Sequence, residues 1–160
     1  MNKIRSGIGY DIHRLKGGNG LLVGGVKISG SLMAEAHSDG DVLIHSLIDA
    51  FLGAMGQPDI GELFPDSDPQ WAGADSRVLL RGAAAGVAGA GWRVANVDAT
   101  VICQAPRLAP FLPEMAKRLA ATMGLGSERV SVKAKSPEHL GLLGREEGIA
   151  SMAVVSVETA

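Results

Sequence analysis

The sequence predicts an α/β (α+β) chain, a mixed β-sheet with helices packed on one face, and three observations carry that expectation. Segments of strand period and helix period alternate along the 160 residues, the signature of a layered α/β architecture. After Gly91 the order is strand, helix, strand, strand, which a uniformly parallel sheet does not accommodate. No Gly-rich dinucleotide-binding fingerprint follows the first strand, and Gly7-Ile8-Gly9 alone is weak evidence for nucleotide binding, so a doubly wound fold is disfavoured. The expectation is one domain over residues 1–160, in a ferredoxin-like arrangement, long enough to bury a core.

Each element has its own warrant. Ile4 to His13 has strand character, interrupted by Gly7 and Gly9. Leu21 to Ile28 is two apolar runs joined at Gly24-Gly25, a hairpin. A helix is expected to begin near Ser38, whose hydroxyl can cap the first turn with Asp41 three residues on. Its apolar stripe is Ile44, Leu47, Ile48, Phe51, Leu52 and Met55, while Asp41, His45 and Asp49 share a polar stripe. Pro58 to Pro69 is an acidic loop. A second helix, Asp75 to Gly89, is so rich in Ala and Gly that something is expected to pack closely on it. Val94 to Ile102 is a strand with Asn96, Asp98 and Thr100 on one face. Pro110 to Met123 is a third helix with Leu112, Met115, Leu119 and Met123 inward. Val130 to Ala134 and Ile149 to Val157 are strands, the last apolar enough for the interior of the sheet, and Lys135 to Gly148 joins them as a functional loop.

Composition narrows the function. With 46% hydrophobic and 20% charged residues this is an ordinary globular chain, and a net charge of −2 disfavours nucleic acid as a partner. Cys103 is the only cysteine, so no intramolecular disulfide is available and a reducing compartment is expected. No apolar run of membrane-spanning length and no signal-peptide pattern is present, so the expected location is cytoplasmic with no membrane partner. Aromatics are scarce and glycines number 22, which points to small aliphatic packing and closely approaching backbones.

The chemistry concentrates in Asp11-Ile12-His13 and in His37-Ser38-Asp39-Gly40-Asp41 followed by His45, segments that hold three of the four histidines. Asp11 and His13, two apart on a strand, share a face, and a helical His45 would complete a set suited to zinc with its fourth position open. Asp41 and Asp49 are expected on a solvated helix face, at most orienting His45. His37 is either a phosphate contact near a helix start or a loop histidine, and position alone does not separate the two. Lys133, Lys135, Ser136 and Glu138 mix cations, a hydroxyl and a carboxylate, as a phosphate–magnesium site does, or as a charged surface loop does. The turn from Cys103 to Ala109 either presents amides to a base or simply connects a strand to a helix.

Taken in order, Gly-Tyr-Asp11-Ile-His13, Ala36-His37-Ser-Asp-Gly-Asp-Val-Leu-Ile-His45, Asp59-Ile-Gly-Glu-Leu-Phe-Pro-Asp66-Ser-Asp68, Gln104-Ala-Pro106 and Gly144-Arg145-Glu-Glu147-Gly-Ile-Ala150 closely resemble the 2-C-methyl-D-erythritol 2,4-cyclodiphosphate synthase family of the non-mevalonate isoprenoid pathway. The resemblance implies a homotrimer with active sites between subunits. It implies a lyase that converts 4-diphosphocytidyl-2-C-methyl-D-erythritol 2-phosphate to the cyclodiphosphate with loss of CMP. Asp11, His13 and His45 match the zinc ligands, and Glu138 matches the carboxylate for a second ion, magnesium or manganese. His37 and Ser136 match the groups that stabilise the transition state. Substrate contacts are implied for Asp11, Ile12, His13, His37 and Ser38; for Asp59, Ile60, Gly61, Phe64, Pro65, Asp66, Ser67 and Asp68 around the erythritol; for Cys103, Gln104, Ala105, Pro106, Arg107, Leu108 and Ala109 around the cytidine; and for Lys135, Ser136, Pro137, Glu138, Leu142 and Arg145. Many members have threonines where this chain has Lys135-Ser136-Pro137, and an aromatic at Leu142. The family precedent also includes a central cavity that can hold an isoprenoid diphosphate. A zinc phosphohydrolase and a diphosphate-binding protein without turnover are the competing classes.

Overall fold

The computed structural model describes residues 3–65 and 67–160. Seven strands and five α-helices follow one another as β1 (Ile4–Gly17), β2 (Leu21–Val23), β3 (Val26–Ile28), β4 (Leu32–Glu35), α1 (Val42–Ala54), α2 (Ile60–Leu63), α3 (Ser76–Gly89), β5 (Trp92–Ile102), α4 (Leu112–Met123), β6 (Val130–Lys135), α5 (Gly141–Gly144) and β7 (Gly148–Thr159). Five strands form one sheet in the order β4-β1-β7-β5-β6, and β2 and β3 form a separate hairpin. Only β5 and β6 pair in parallel; the other neighbours are antiparallel. β7, expected inside the sheet, is its central strand.

The ferredoxin-like expectation holds for one unit and fails for the order. β1 and β5 run parallel with β7 antiparallel between them, a split βαβ unit. β6 then adds parallel beside β5, where a ferredoxin-like sheet is antiparallel throughout. β4 escaped the sequence pattern because its four residues are all partly exposed at the edge and show no alternation.

Helix α1 lies across β1 and β7, and the glycines of β1 allow it. A Cβ on Gly7 would stand 2.0 Å from the Ala50 carbonyl oxygen, and one on Gly9 would stand 1.8 Å from that of Ser46. Helix and strand therefore meet backbone to backbone, and the hydroxyls of Ser46 and Ser151 bond across the contact at 2.9 Å. Covered also by α3, α1 is buried nearly all round. Its expected polar stripe is not a solvated face: Asp41 is fully buried and His45 nearly so.

Asp41, not Ser38, caps α1. Gly40 takes φ +73°, outside the right-handed helical region, so the helix cannot start before it. The Asp41 carboxylate accepts from the backbone N–H of Ile44 and from those of Gly24 and Gly25, which locks the β2–β3 hairpin onto the helix start. Burial pushes its carboxyl up to about 6, against those three donors, which lower it. Helix α3 corrects another expectation: nothing lies within 4 Å of a Cβ built on Gly82, Gly86 or Gly89, so these glycines serve no close contact among the described residues.

The opposite face of the sheet is met by α5 at the start of β7, where Leu142 and Leu143 come close to Gly148, and is open further along among the described residues. Ile8, Tyr10 and Ile12 of β1 and Met152 and Val154 of β7 stand side by side there, each between 40% and 64% exposed. Asn96, Asp98 and Thr100 continue that face across β5, as their spacing implied, and Asp98 pairs with Lys133 of β6.

Candidate metal centre and the cavity around it

Asp11 and His13 leave β1 on the side facing α1, and His45 comes down from α1 to meet them. Their ligand atoms form a compact triangle. His13 Nε2 and His45 Nδ1 are 3.0 Å apart, His45 Nδ1 and Asp11 Oδ2 3.1 Å, and His13 Nε2 and Asp11 Oδ2 3.2 Å. A tetrahedral ion with bonds of about 2.0–2.1 Å needs ligand–ligand edges of about 3.3–3.4 Å, so one zinc-sized ion fits with little adjustment. Among the described residues this is the one cluster of His, Cys, Asp and Glu compact enough to hold a metal ion.

The far nitrogen of His45 is anchored as well. Nε2 lies 2.9 Å from Ser76 Oγ and 3.1 Å from Ser38 Oγ. Burial lowers the affinity of the His45 imidazole for protons, but Asp11 beside Nδ1 and the charges of Asp41 and Asp39 hold its pKa above the ordinary value. Asp49, assigned at most to orienting His45, instead accepts the Ile60 N–H at 2.8 Å and so tethers α2; burial raises its pKa.

The triangle opens into a cavity of about 270 Å³. Of the residues singled out in sequence, Asp11, His13, His37, Ser38, His45, Ile60, Gly61, Phe64 and Asp68 line it. Glu35, Trp71, Ala74 and Leu79 line it too and had no motif to mark them; Trp71 meets Phe64 edge to face at 4.9 Å between ring centres. The acidic loop is a short helix here, α2, capped by the Asp59 carboxylate on the Glu62 N–H. Asp59, Pro65 and Ser67 flank the cavity in sequence without lining it, and Asp66 lies outside the described residues. The described lining contains three carboxylates and no lysine or arginine; Lys16, on β1, holds Glu35 at 3.3 Å.

The remaining candidates gather at the ends of β5 and β6. Cys103 N donates to Lys135 O, and His139 N donates to Gln104 Oε1, so the turn after β5 and the segment after β6 are joined. Ser136 Oγ accepts the Glu138 N–H, and Glu138 and His139 both take positive φ. Ala105 and Pro106 border a second cavity of about 150 Å³ beside the β2–β3 hairpin. Arg145 and Glu147 pair at 2.6 Å. Arg107, Lys135, Pro137, Glu138 and Leu142 are partly or fully exposed and do not line the cavity of the triangle.

Three further side chains lie outside the cavity wall. Ile12 points to the open face, away from Asp11 and His13, and Cys103 and Leu108 are core residues. From Cys103 and Leu108 the turn therefore has backbone groups to present. The Cys103 thiol, which donates to Ala105 O, is pushed up to about 11 by burial. Register explains why the two groups of residues do not merge. Ile12, Ala150, Ile102 and Lys135 align across the four strands, and cross-strand partners share a face. Lys135 therefore leaves on the open face, about 14 Å along the sheet from β1, with the triangle on the other face.

Fold and site together define an α/β protein with an Asp-His-His cluster, compact enough to hold a metal ion, in the wall of an acidic cavity. The chain belongs to the YgbB family, whose model matches residues 4–158. It is 51% identical over 159 residues to a 2-C-methyl-D-erythritol 2,4-cyclodiphosphate synthase of Thermosynechococcus vestitus, covering 99% of each chain. Among solved structures, it is similar to IspF of Plasmodium falciparum in complex with CDP, at 34% identity and TM-score 0.87 over 99% of this chain and 98% of that one. It also matches the bifunctional IspDF of Campylobacter jejuni at 41% identity and TM-score 0.96, covering 100% of this chain but 43% of that one.

Proposed function

We propose that this protein is a lyase that cyclises 4-diphosphocytidyl-2-C-methyl-D-erythritol 2-phosphate to 2-C-methyl-D-erythritol 2,4-cyclodiphosphate and releases CMP, in the cytoplasm and within one domain spanning residues 1–160. The observation that carries this is the Asp11-His13-His45 triangle at the cavity mouth, in a chain similar over its whole length to synthases of that name. In the reaction an oxygen of the 2-phosphate forms a bond to the β-phosphorus while the bond from that phosphorus to the bridging oxygen breaks, and CMP departs with the electron pair. A phosphate monoester is already anionic near neutral pH, so no side chain need remove a proton from it.

The difficulty is charge. Two phosphates must approach inside walls that carry Asp11, Glu35 and Asp68. Zinc on Asp11, His13 and His45, with magnesium or manganese on Glu138, would supply Lewis acidity and neutralise the phosphates. His37 and Ser38, which line the cavity, would hold the phosphate end in line, with Ser136 contributing a hydroxyl to the diphosphate. Phe64 and Trp71, edge to face in the cavity wall, would give the methylerythritol an apolar surface to rest on.

The cytidine-binding turn (residues 103–109) and the diphosphate segment (residues 135–138) sit apart from the triangle in one chain, so a neighbouring copy is required to complete the site. The apolar face of Ile8, Tyr10, Ile12, Met152 and Val154 is the surface on which a homotrimer would close, with Arg145 and Glu147 near its axis and room there for an isoprenoid diphosphate. CDP in the Plasmodium falciparum structure supports a cytidine nucleotide as ligand. The test is to supply the substrate with zinc and magnesium and follow phosphorus NMR. Cyclic diphosphate with CMP is expected; a linear phosphate product would mean hydrolysis, and unchanged substrate would mean a binding protein. Light scattering of the same sample should give three chains per particle, and a fully active monomer would overturn the shared site.

A further inference from the structure

Behind the triangle a polar chain runs from Asp39, in the His37–Asp41 motif, through the buried Ser76 to His45, and the proposed reaction does not use it. Ser76 opens α3 and is completely buried. Its backbone N–H donates to Asp39 Oδ2 at 2.9 Å, and its hydroxyl donates to Asp39 Oδ1. Asp39 Oδ1 also accepts the Asp41 N–H at 3.2 Å. One carboxylate thus grips Ser76 at two points and is itself fixed by the turn that starts α1.

The consequence is directional. A serine hydroxyl has one proton, and Asp39 takes it, so the lone pairs of Ser76 Oγ face His45 Nε2 at 2.9 Å. Nε2 must then carry hydrogen, and Nδ1, the atom 3.0–3.1 Å from His13 Nε2 and Asp11 Oδ2, is left to present its lone pair to a metal. The opposite tautomer would set two lone pairs against each other inside the protein. Ser38 Oγ, at 3.1 Å from the same Nε2, is a weaker second acceptor: it accepts the Gly40 N–H and is not held by a carboxylate.

We infer that Ser76, fixed by Asp39, is a positioning residue for the metal site, setting the tautomer and ring orientation of His45 so that Nδ1 faces the ion. The inference rests on the proposed metal function and adds a residue to it. Partners of this kind, acting through a ligand's far nitrogen, are worth about 10–100-fold in metal affinity.

The experiment titrates metal-free protein with zinc against a chromophoric chelator, for the unmodified chain, Ser76→Ala, Ser76→Thr and Asp39→Asn. Thermal unfolding of each metal-free protein runs alongside, with the visible absorption of each cobalt(II) form. The expected result for Ser76→Ala is a zinc affinity lower by about 10–100-fold and an altered cobalt spectrum. Ser76→Thr, which keeps the hydroxyl, should restore both, and Asp39→Asn should fall between. Should Ser76→Ala fail to fold, the Asp39→Asn and Ser76→Thr pair carries the comparison. Loss of thermal stability with zinc affinity and cobalt spectrum unchanged would make the chain of bonds merely structural and overturn the inference, leaving the metal function standing. Failure of the unmodified protein to bind zinc at all would overturn both.

Discussion

Replacing Gly9 by alanine asks whether the contact of β1 with α1 sets the geometry of the metal ligands. The added Cβ would stand 1.8 Å from the Ser46 carbonyl oxygen and 2.8 Å from the Ala50 nitrogen. A relaxed carbon–oxygen contact is about 3.3 Å, so the helix must retreat by roughly 1.5 Å. Both obstacles are backbone atoms, and no rotamer change relieves them. Ser46 follows His45 directly, and Gly9 shares its strand face with Asp11 and His13. The retreat therefore draws His45 Nδ1 away from partners now 3.0 and 3.1 Å distant, whereas metal sites hold their distances to about 0.2 Å. Overpacking of this kind costs about 1–3 kcal/mol, and an obstacle of backbone alone places it at the upper end. A loss of about 3 kcal/mol lowers Tm by roughly 6–12 °C in a chain of this size. Gly17→Ala, on the same strand with nothing within 4 Å of its Cβ, is the control and should stay within about 0.5 kcal/mol. Circular dichroism on heating and plasma mass spectrometry of bound zinc give the two readouts. A Gly9→Ala protein with the parent Tm and one zinc per chain would refute the reasoning.

Three further outcomes are expected. His45→Ala should leave a folded protein without tightly bound zinc and with almost no activity, since Asp11 and His13 alone make a poor tetrahedral site; full zinc content by metal analysis would remove His45 from the ligand set. Glu138→Gln should keep zinc and lose about 10–100-fold in rate, the worth of one charge-assisted contact, partly recovered by excess magnesium; unchanged rate and metal dependence would return Glu138 to the surface. Burial raises the Asp41 carboxyl from 3.8 to about 6, so the folded state retains a proton that the unfolded chain has released. That contribution is whole below pH 3.8 and is lost as pH rises through about 6. Asp41→Asn should therefore flatten the dependence of Tm on pH across that window, and an identical profile would show the carboxyl to titrate normally.

Much of this was legible in the sequence, for identifiable reasons. The Asp11–His13 pair needed only the alternation of a strand, and the β2–β3 hairpin only its Gly-Gly turn. The limits were tertiary. Asp41 looked like a solvated helix residue because nothing local reveals that Gly24 and Gly25 donate to it from a hairpin earlier in the chain. Ser76 carried no signal, because its partners Asp39 and His45 lie more than thirty residues away in sequence. The Ala and Gly content of α3 suggested a close neighbour, yet Gly82, Gly86 and Gly89 have none among the described residues, whereas Gly7 and Gly9 of β1 do. Composition says that backbones can approach, not where they do.

The separation of the two groups of candidate residues follows from sheet geometry and bears on assembly. A strand sends alternate side chains to opposite faces, so a chain that places Asp11 and His13 toward the helices must send Ile12 to the other side. Carried across β7 and β5, the same register sends Lys135 there too. One copy therefore presents the Asp11-His13-His45 cluster on the face covered by α1 and the Lys135 cation on the other. The cavity that would receive two phosphates has carboxylates but no described lysine or arginine in its wall. Under the proposed function, charge neutralisation then falls to the metal ions together with cations that a neighbouring copy brings to the cavity mouth. The apolar face that would form the trimer and the diphosphate segment beside it belong to one surface, so closing that surface and completing the active site are the same event.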